Sequence, residues 1–94
     1  MIKIVARRKI RAESEKAFLA LAEELVKASN EETGCIGYTL NRSCEDERLF
    51  CFIEYWKDQE AIRSHNVSEA FCRIVPQFDA LTEQKFAVEH YLEV

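Results

Sequence analysis

Residues 2–10 alternate: Ile2, Ile4, Ala6 and Ile10 fall on one face, and Lys3, Val5, Arg7 and Lys9 on the other, the period of a β-strand. From about Ser14 to Asn30 the period changes. Phe18, Leu21, Ala22, Leu25 and Val26 recur at helical spacing and make one apolar stripe. Glu13 and Glu15 near its start and Lys27 near its end complement the helix dipole, and Thr33-Gly34 punctuates the chain after the helix. Cys35 to Ser43 reads as a second strand, with Ile36, Tyr38 and Leu40 on one side, and Glu45-Asp46-Glu47 as a turn. Leu49 to Trp56 reads as a third strand that is apolar on both faces. Asp58 is placed to cap a short helix over Gln59–His65. Ser68 caps another to about Leu81, with Phe71, Ile74, Val75 and Phe78 as its stripe. Pro76 inside that stripe predicts a kink or an early end. Lys85 to Val94 alternates again, as one last strand.

The order β-α-β-β-α-α-β predicts an α+β, ferredoxin-like fold: a four-stranded antiparallel sheet with helices on one face. That arrangement has a consequence for the third strand. Helices cover one face only, so Phe50, Phe52 and Trp56, or their opposite neighbours, would meet water in a lone subunit. Burying one such side chain is worth roughly 1.5–3 kcal/mol. A homodimer that covers the open face is therefore expected.

Ninety-four residues make one domain, spanning 1–94. With 13 basic and 17 acidic residues the net charge is −4, which disfavours a nucleic-acid-binding module. The cluster Arg7-Arg8-Lys9-x-Arg11 then reads as a solvated strand end. No apolar run is long enough to span a bilayer, and the basic run Arg7-Arg8-Lys9 following the apolar start Met1–Val5 is the reverse of a signal peptide. A soluble, cytoplasmic protein is expected. None of the four cysteines (35, 44, 51 and 72) forms a C-x-x-C pair, and the two histidines are far apart, so no metal site is expected. If residues 45–48 are the hairpin loop, Cys44 faces Leu49 and Cys51 faces Arg42. The thiols of Cys44 and Cys51 then lie roughly 7–8 Å apart on the diagonal, too far for a relaxed disulfide.

Two runs carry a resemblance. Glu32-x-Gly34-Cys35-x-x-Tyr38, followed by Phe50-x-x-x-Glu54-x-Trp56-x-Asp58-x-x-Ala61-x-x-x-His65-x-x-Ser68-x-x-Phe71, resembles the antibiotic biosynthesis monooxygenase (ABM) family. Length and element order fit as well, over nearly the whole chain. The resemblance implies a dimeric α/β barrel built from two ferredoxin-like subunits. For some members it implies oxygenation of phenols or quinols by O2 without metal or flavin; others are isomerases of small phosphorylated sugars, haem degraders, or proteins of unknown activity. The haem-degrading branch carries Trp where His65 stands, His near Val75, and Asn on the first strand near Ala6. This chain departs at all three, which argues against haem.

Cofactor-free oxygenation makes the substrate the electron donor, and a phenol donates far better once deprotonated. Such a site needs a base, a group that holds the anion, and a dry pocket. His65 is the candidate base, expected at a pocket mouth, because imidazole titrates near pH 6.5. Glu54, among aromatics, is the second catalytic candidate, orienting His65 or accepting a proton; its structural alternative is a salt bridge to Arg42 or Arg8. Tyr38, Phe50, Phe52, Trp56 and Phe71 are the candidate substrate-binding residues, with core or dimer seam as the other reading. The expected partners are a small aromatic substrate, O2 and a second copy of the chain; no bound cofactor is expected. Two rival functions remain open. One is an isomerase of a small phosphorylated or carbonyl substrate, which needs Arg8, Arg42, Arg63 or Arg73 turned inward. The other is a non-catalytic dimeric ligand-binding domain, which needs a filled interior and His65 in solvent.

Overall fold

The third strand decides the architecture. In a computed structural model describing residues 1–94, burial along β3 (Leu49–Trp56) alternates without exception. Phe50, Phe52, Glu54 and Trp56 are buried, and Leu49, Cys51, Ile53 and Tyr55 are half-buried. β1 (Ile2–Ile10) pairs antiparallel with β3, placing Ile4 opposite Glu54 and Ala6 opposite Phe52. β2 (Cys35–Arg42) pairs with the other side of β3, placing Tyr38 opposite Glu54 and Leu40 opposite Phe52. The aromatic row of β3 and its strand neighbours therefore share one face, and the helices cover it.

Three helices do the covering: α1 (Glu15–Asn30), α2 (Gln59–Asn66) and α3 (Glu69–Leu81). The stripe of α1 buries Phe18, Ala22 and Leu25 against the sheet, and α3 adds Ile74 and Phe78. Phe18 is the hub, with ring centroids 5.0 Å from both Phe50 and Phe78. Asp58 caps α2 by accepting from the Ala61 N–H at 2.9 Å, and Ser68 caps α3 by accepting from the Phe71 N–H at 3.3 Å. The chain is an α+β ferredoxin-like fold, as the element order predicts.

Four details differ from the sequence reading. The last strand is broken into β4 (Thr82–Lys85) and β5 (Glu89–Leu92), so the sheet has five strands, with both pieces on the same edge of β1. Arg8 pairs with Lys85 and Val5 with Glu89. Three residues, Phe86 to Val88, thus face two, Ala6 and Arg7, and the extra residue is a bulge. The strand also starts earlier than Lys85, because the chain passes from α3 directly into Thr82, whose hydroxyl donates to the Phe78 carbonyl at 2.6 Å. The hairpin register is the third difference. Asn41, not Arg42, faces Cys51, and Arg42 faces Phe50. The Ser43 hydroxyl accepts from the Glu45 and Asp46 N–H groups at 3.1 and 3.2 Å, so the loop opens at Ser43 and Cys44 lies within it. All four thiols are free. Finally, the early end allowed for at Pro76 does not occur: α3 reaches Leu81, as its cap and stripe predict, held to the core by buried Ile74 and Phe78.

The opposite face of the sheet carries no helix. Its β3 row is Leu49, Cys51, Ile53 and Tyr55, and its β1 row is Lys3, Val5, Arg7 and Lys9. Lys9 is paired to Asp46 at 3.0 Å and Arg7 to Glu89 at 3.7 Å, while Lys3 lies over the Tyr55 ring. No helix of the structure is long and apolar enough to cross a membrane.

Truncating the hub ring tests this core. Phe18→Ala is expected to lower unfolding free energy by about 3–5 kcal/mol in urea titrations, with the slope of the transition unchanged.

Candidate functional site

A cavity of about 280 Å³ lies between the helices and the covered face of the sheet. Its walls are mainly apolar, with Ile4, Phe52, Ile62, Phe71 and Phe78 among them, and they are interrupted by Tyr38, Glu54 and His65. Of the sequence candidates, these three line the cavity with Phe52 and Phe71. Phe50 and Trp56 do not. Both are buried in the core, Phe50 against Phe18 and Trp56 behind His65. Their side chains leave the pocket because the short α2 closes over Trp56 and α1 over Phe50, which leaves only the middle of the aromatic row open.

His65 sits in the last turn of α2 and is only 2% exposed. It is not at a solvent-facing mouth. Its ring packs 4.5 Å from Trp56, 5.1 Å from Phe71 and 5.6 Å from Tyr38, centroid to centroid. Its polar partner is Glu32, whose Oε2 lies 2.8 Å from His65 Nδ1. A carboxylate only accepts, so Nδ1 is the donor in this pair, and the neutral ring has its lone pair on Nε2. Nε2 has no partner within the protein, and the ring borders the cavity.

The loop after α1 sets that geometry. The Glu32 N–H donates to the Ser29 carbonyl and the Cys35 N–H to the Glu32 carbonyl, at 3.1 Å each, which folds residues 31–34 tightly against the helix end. Gly34 then meets the first turns of α2: a Cβ there would stand 2.3 Å from the Ala61 Cβ. Only glycine permits that approach, and the approach brings Glu32 to His65. Glu32 and Gly34 both belong to the sequence motif, but spacing gave no sign that Glu32 rather than Glu54 holds the imidazole.

Glu54 is held differently. Its Oε1 accepts from the Trp56 indole N–H at 2.8 Å. Neither expected salt bridge forms, because Arg42 is paired to Glu15 at 3.0 Å and Arg8 to Asp79 at 2.9 Å. Burial without a cationic partner pushes the Glu54 carboxyl up to about 7; the Trp56 and Tyr38 donors offset part of that rise, and Glu32 adds to it. Burial, and then the Glu54 charge, also hold the Tyr38 hydroxyl well above its ordinary value, so it is a neutral donor at physiological pH. The cavity thus combines an oriented imidazole, a carboxyl able to hold or release a proton near neutrality, and a phenol that only donates. Of the four anchors an isomerase of phosphorylated substrates would need inward, Arg42, Arg63 and Arg73 are spent on surface carboxylates, while Arg8 borders the cavity and is paired to Asp79. No group of three or more His, Cys, Asp or Glu side chains is placed to hold a metal ion.

A family model of antibiotic biosynthesis monooxygenases matches residues 1–77, a span that includes Glu32, Tyr38, Glu54 and His65. The chain belongs to the antibiotic biosynthesis monooxygenase family. A crystal structure of an antibiotic biosynthesis monooxygenase superimposes with a TM-score of 0.94 at 34% identity, over 100% of this chain and 99% of that one. A Shewanella oneidensis protein, SO0527, gives 0.87 at 31% identity, over 96% and 87%. YcnE of Bacillus subtilis (strain 168), named provisionally as a monooxygenase, is 35% identical over 71 residues, 76% of this chain and 75% of that one. The three helices and five-stranded antiparallel sheet match ABM structures, and in this chain Glu54, His65 and Tyr38 converge on the cavity between them.

The raised Glu54 has a measurable signature. Below its ordinary value of 4.5, folded and unfolded chains both carry the proton. Between 4.5 and about 7 the unfolded chain ionises first, so wild-type stability falls as pH rises, and above 7 the loss levels off. Glu54→Gln removes the effect. The stability of this variant relative to wild type is expected to grow by on the order of 3 kcal/mol between pH 4.5 and 8, read by denaturant unfolding at fixed protein concentration. A constant difference across that range contradicts the assignment.

Proposed function

We propose that this ABM protein is a cofactor-independent oxygenase that acts with O2 on a quinol or phenolic aromatic molecule. The observation that carries this reading is the Glu32–His65 pair, with its free Nε2 at an apolar cavity that also holds Glu54. In the proposed cycle His65 Nε2 removes the phenolic proton and Glu32 stabilises the resulting imidazolium, the division of labour of a carboxylate–histidine pair. Tyr38 donates to the oxyanion. The phenolate then reduces O2 directly. For a quinol converted to a hydroxyquinone, four electrons leave the ring, one oxygen atom enters it and the other departs as water. Glu54 supplies a proton to the reduced oxygen and is recharged at neutral pH. The apolar wall of Phe52 and Phe71 keeps bulk water from the intermediate. A filled interior with His65 in solvent would favour the non-catalytic alternative; the open cavity and the buried His65 support the catalytic reading instead.

The working form in this proposal is a homodimer whose copies join through the open sheet face, in the cytoplasm, where the four thiols stay reduced. Sedimentation at micromolar concentration is expected to give two chains for wild type. Ile53→Glu, in the middle of that face, is expected to give one. A stable, folded single wild-type chain overturns the dimer.

O2 uptake with reduced naphthoquinones and anthrones tests the activity. Wild type is expected to consume O2 well above buffer. His65→Ala should lose about 10²–10⁴-fold, the usual weight of a general base. Glu32→Gln should lose activity while binding the oxidised product as before. Equal uptake by wild type, His65→Ala and buffer would sink the oxygenase reading.

A further inference from the structure

One level of the sheet lines up side chains from four strands. Tyr38 of β2 opposes Glu54 of β3, Glu54 opposes Ile4 of β1, and Ile4 opposes His90 of β5. Residues directly opposite one another on adjacent strands project from the same face of the pleat. Here that face is the covered one, because Tyr38, Glu54 and Ile4 are buried in it. All four residues border the cavity. Glu89 and Tyr91, the chain neighbours of His90, oppose Val5 and Lys3 and so belong to the open face. The cavity therefore has an apolar floor, Ile4, with a carboxyl on one side of it and an imidazole on the other.

The two flanks differ in what holds them. On the first, Glu54 accepts from Trp56, and His65, packed against Tyr38, is bonded to Glu32. On the second, His90 has neither a hydrogen bond nor an ion pair: of the two imidazoles, only His65 is bonded to the protein. His90 stands exposed on an edge strand, where packing makes no demand for an imidazole. The basic residues of the lining belong to another level. Arg8 and Lys85 oppose one another four residues along β1 from Ile4, about 13 Å away, and Arg8 is tied to Asp79. Across the cavity, the second half of α2 and the start of α3 offer the uncharged Asn66, Phe71 and Val75 besides His65. Two strand spacings put the Glu54 and His90 backbones about 10 Å apart. With a hydrogen bond of about 2.8 Å at each end, that gap suits one six-membered ring with oxygens on opposite sides. At about 280 Å³ the cavity is at the small end of ligand pockets, in keeping with one ring or two fused rings.

We infer that His90 is a substrate-binding residue, holding the second oxygen of a para-dihydroxy ring whose first oxygen lies among His65, Tyr38 and Glu54. Taking the first oxygen as the reacting one rests on the oxygenase reading; the contact at His90 does not. A neutral imidazole offers one acceptor and one donor. It accepts from a hydroxyl of the quinol and donates to the carbonyl that the same oxygen is in the quinone. A ring with adjacent hydroxyls has both oxygens at one end and leaves His90 without a partner. His90 thus selects the para arrangement, which a cavity with polar groups on one flank alone would not.

Binding measured in the absence of O2 separates this contact from the chemistry. The probes are 1,4-dihydroxynaphthalene (para), 1,2-dihydroxynaphthalene (ortho) and 1-naphthol, titrated anaerobically by calorimetry at neutral pH. Wild type is expected to bind the para isomer about tenfold more tightly than 1-naphthol, the weight of one good hydrogen bond. His90→Phe and His90→Leu should each remove most of that preference and leave affinity for 1-naphthol and for the ortho isomer unchanged, which also shows the cavity intact. Tyr91→Phe, the next residue on the strand but on the open face, should keep the preference. Equal affinity for the para isomer and 1-naphthol, a preference that survives both His90 variants, an equal loss for the ortho isomer, loss of the preference in Tyr91→Phe, or no binding of any probe each overturns the inference. Absence of a para preference with O2 uptake intact removes this inference alone. A para preference that depends on His90, without O2 uptake, removes the oxygenase reading and leaves the contact.

Discussion

Three helices can cover only one side of a five-stranded sheet, and the alternation of β3 determines which side that is. Phe50, Phe52 and Trp56 are worth more under helices than Leu49, Cys51 and Ile53 would be, so the aromatic row faces inward and the rest of the packing depends on that choice. The same alternation carries Glu54 inward with the rings. A carboxyl set into an aromatic row cannot be packed like its neighbours, and the space around it, roofed by the short α2 and the first half of α3, is where the cavity lies.

Glu54 and His65, with Glu32 behind the imidazole, share one end of this cavity, and their environments keep the two acids distinct. Glu32 lies at the end of α1 and is tied to His65, so its effect is on the orientation and tautomer of the ring. Glu54 has an indole N–H instead of a cation, and burial works against its charge. Had Arg8 or Arg42 reached it, the carboxyl would be a permanent anion and of little use in moving protons near neutrality. The surface pairs that occupy those arginines are thus part of what leaves Glu54 protonatable.

Most of the architecture was legible in the sequence because period, caps and turn residues agree with one another: the stripe from Phe18 to Val26, the caps Asp58 and Ser68, and the alternation from Leu49 to Trp56 each mark one element. What was illegible depends on side chains meeting over long range. Nothing local says that Phe86 to Val88 must bulge, since that comes from counting residues against β1 across the sheet. Nor does spacing reveal that Glu32, 33 positions before His65, is its partner, because the contact requires Gly34 to touch Ala61. The hairpin slip at Ser43 came from a hydroxyl competing for backbone donors, a preference too small to outweigh a more symmetrical loop on paper.

The uncovered side of the sheet is not uniform: an oily row on β3 runs beside a row of long cationic stems on β1. A two-fold contact doubles whatever lies nearest its axis. An axis above Cys51 and Ile53 would therefore double water-avoiding area, whereas one above Lys3 and Arg7 would double positive potential. Two such rows side by side make this surface self-complementary at one setting and self-repelling at the next, which is a rule for alignment written into a single alternating strand pair.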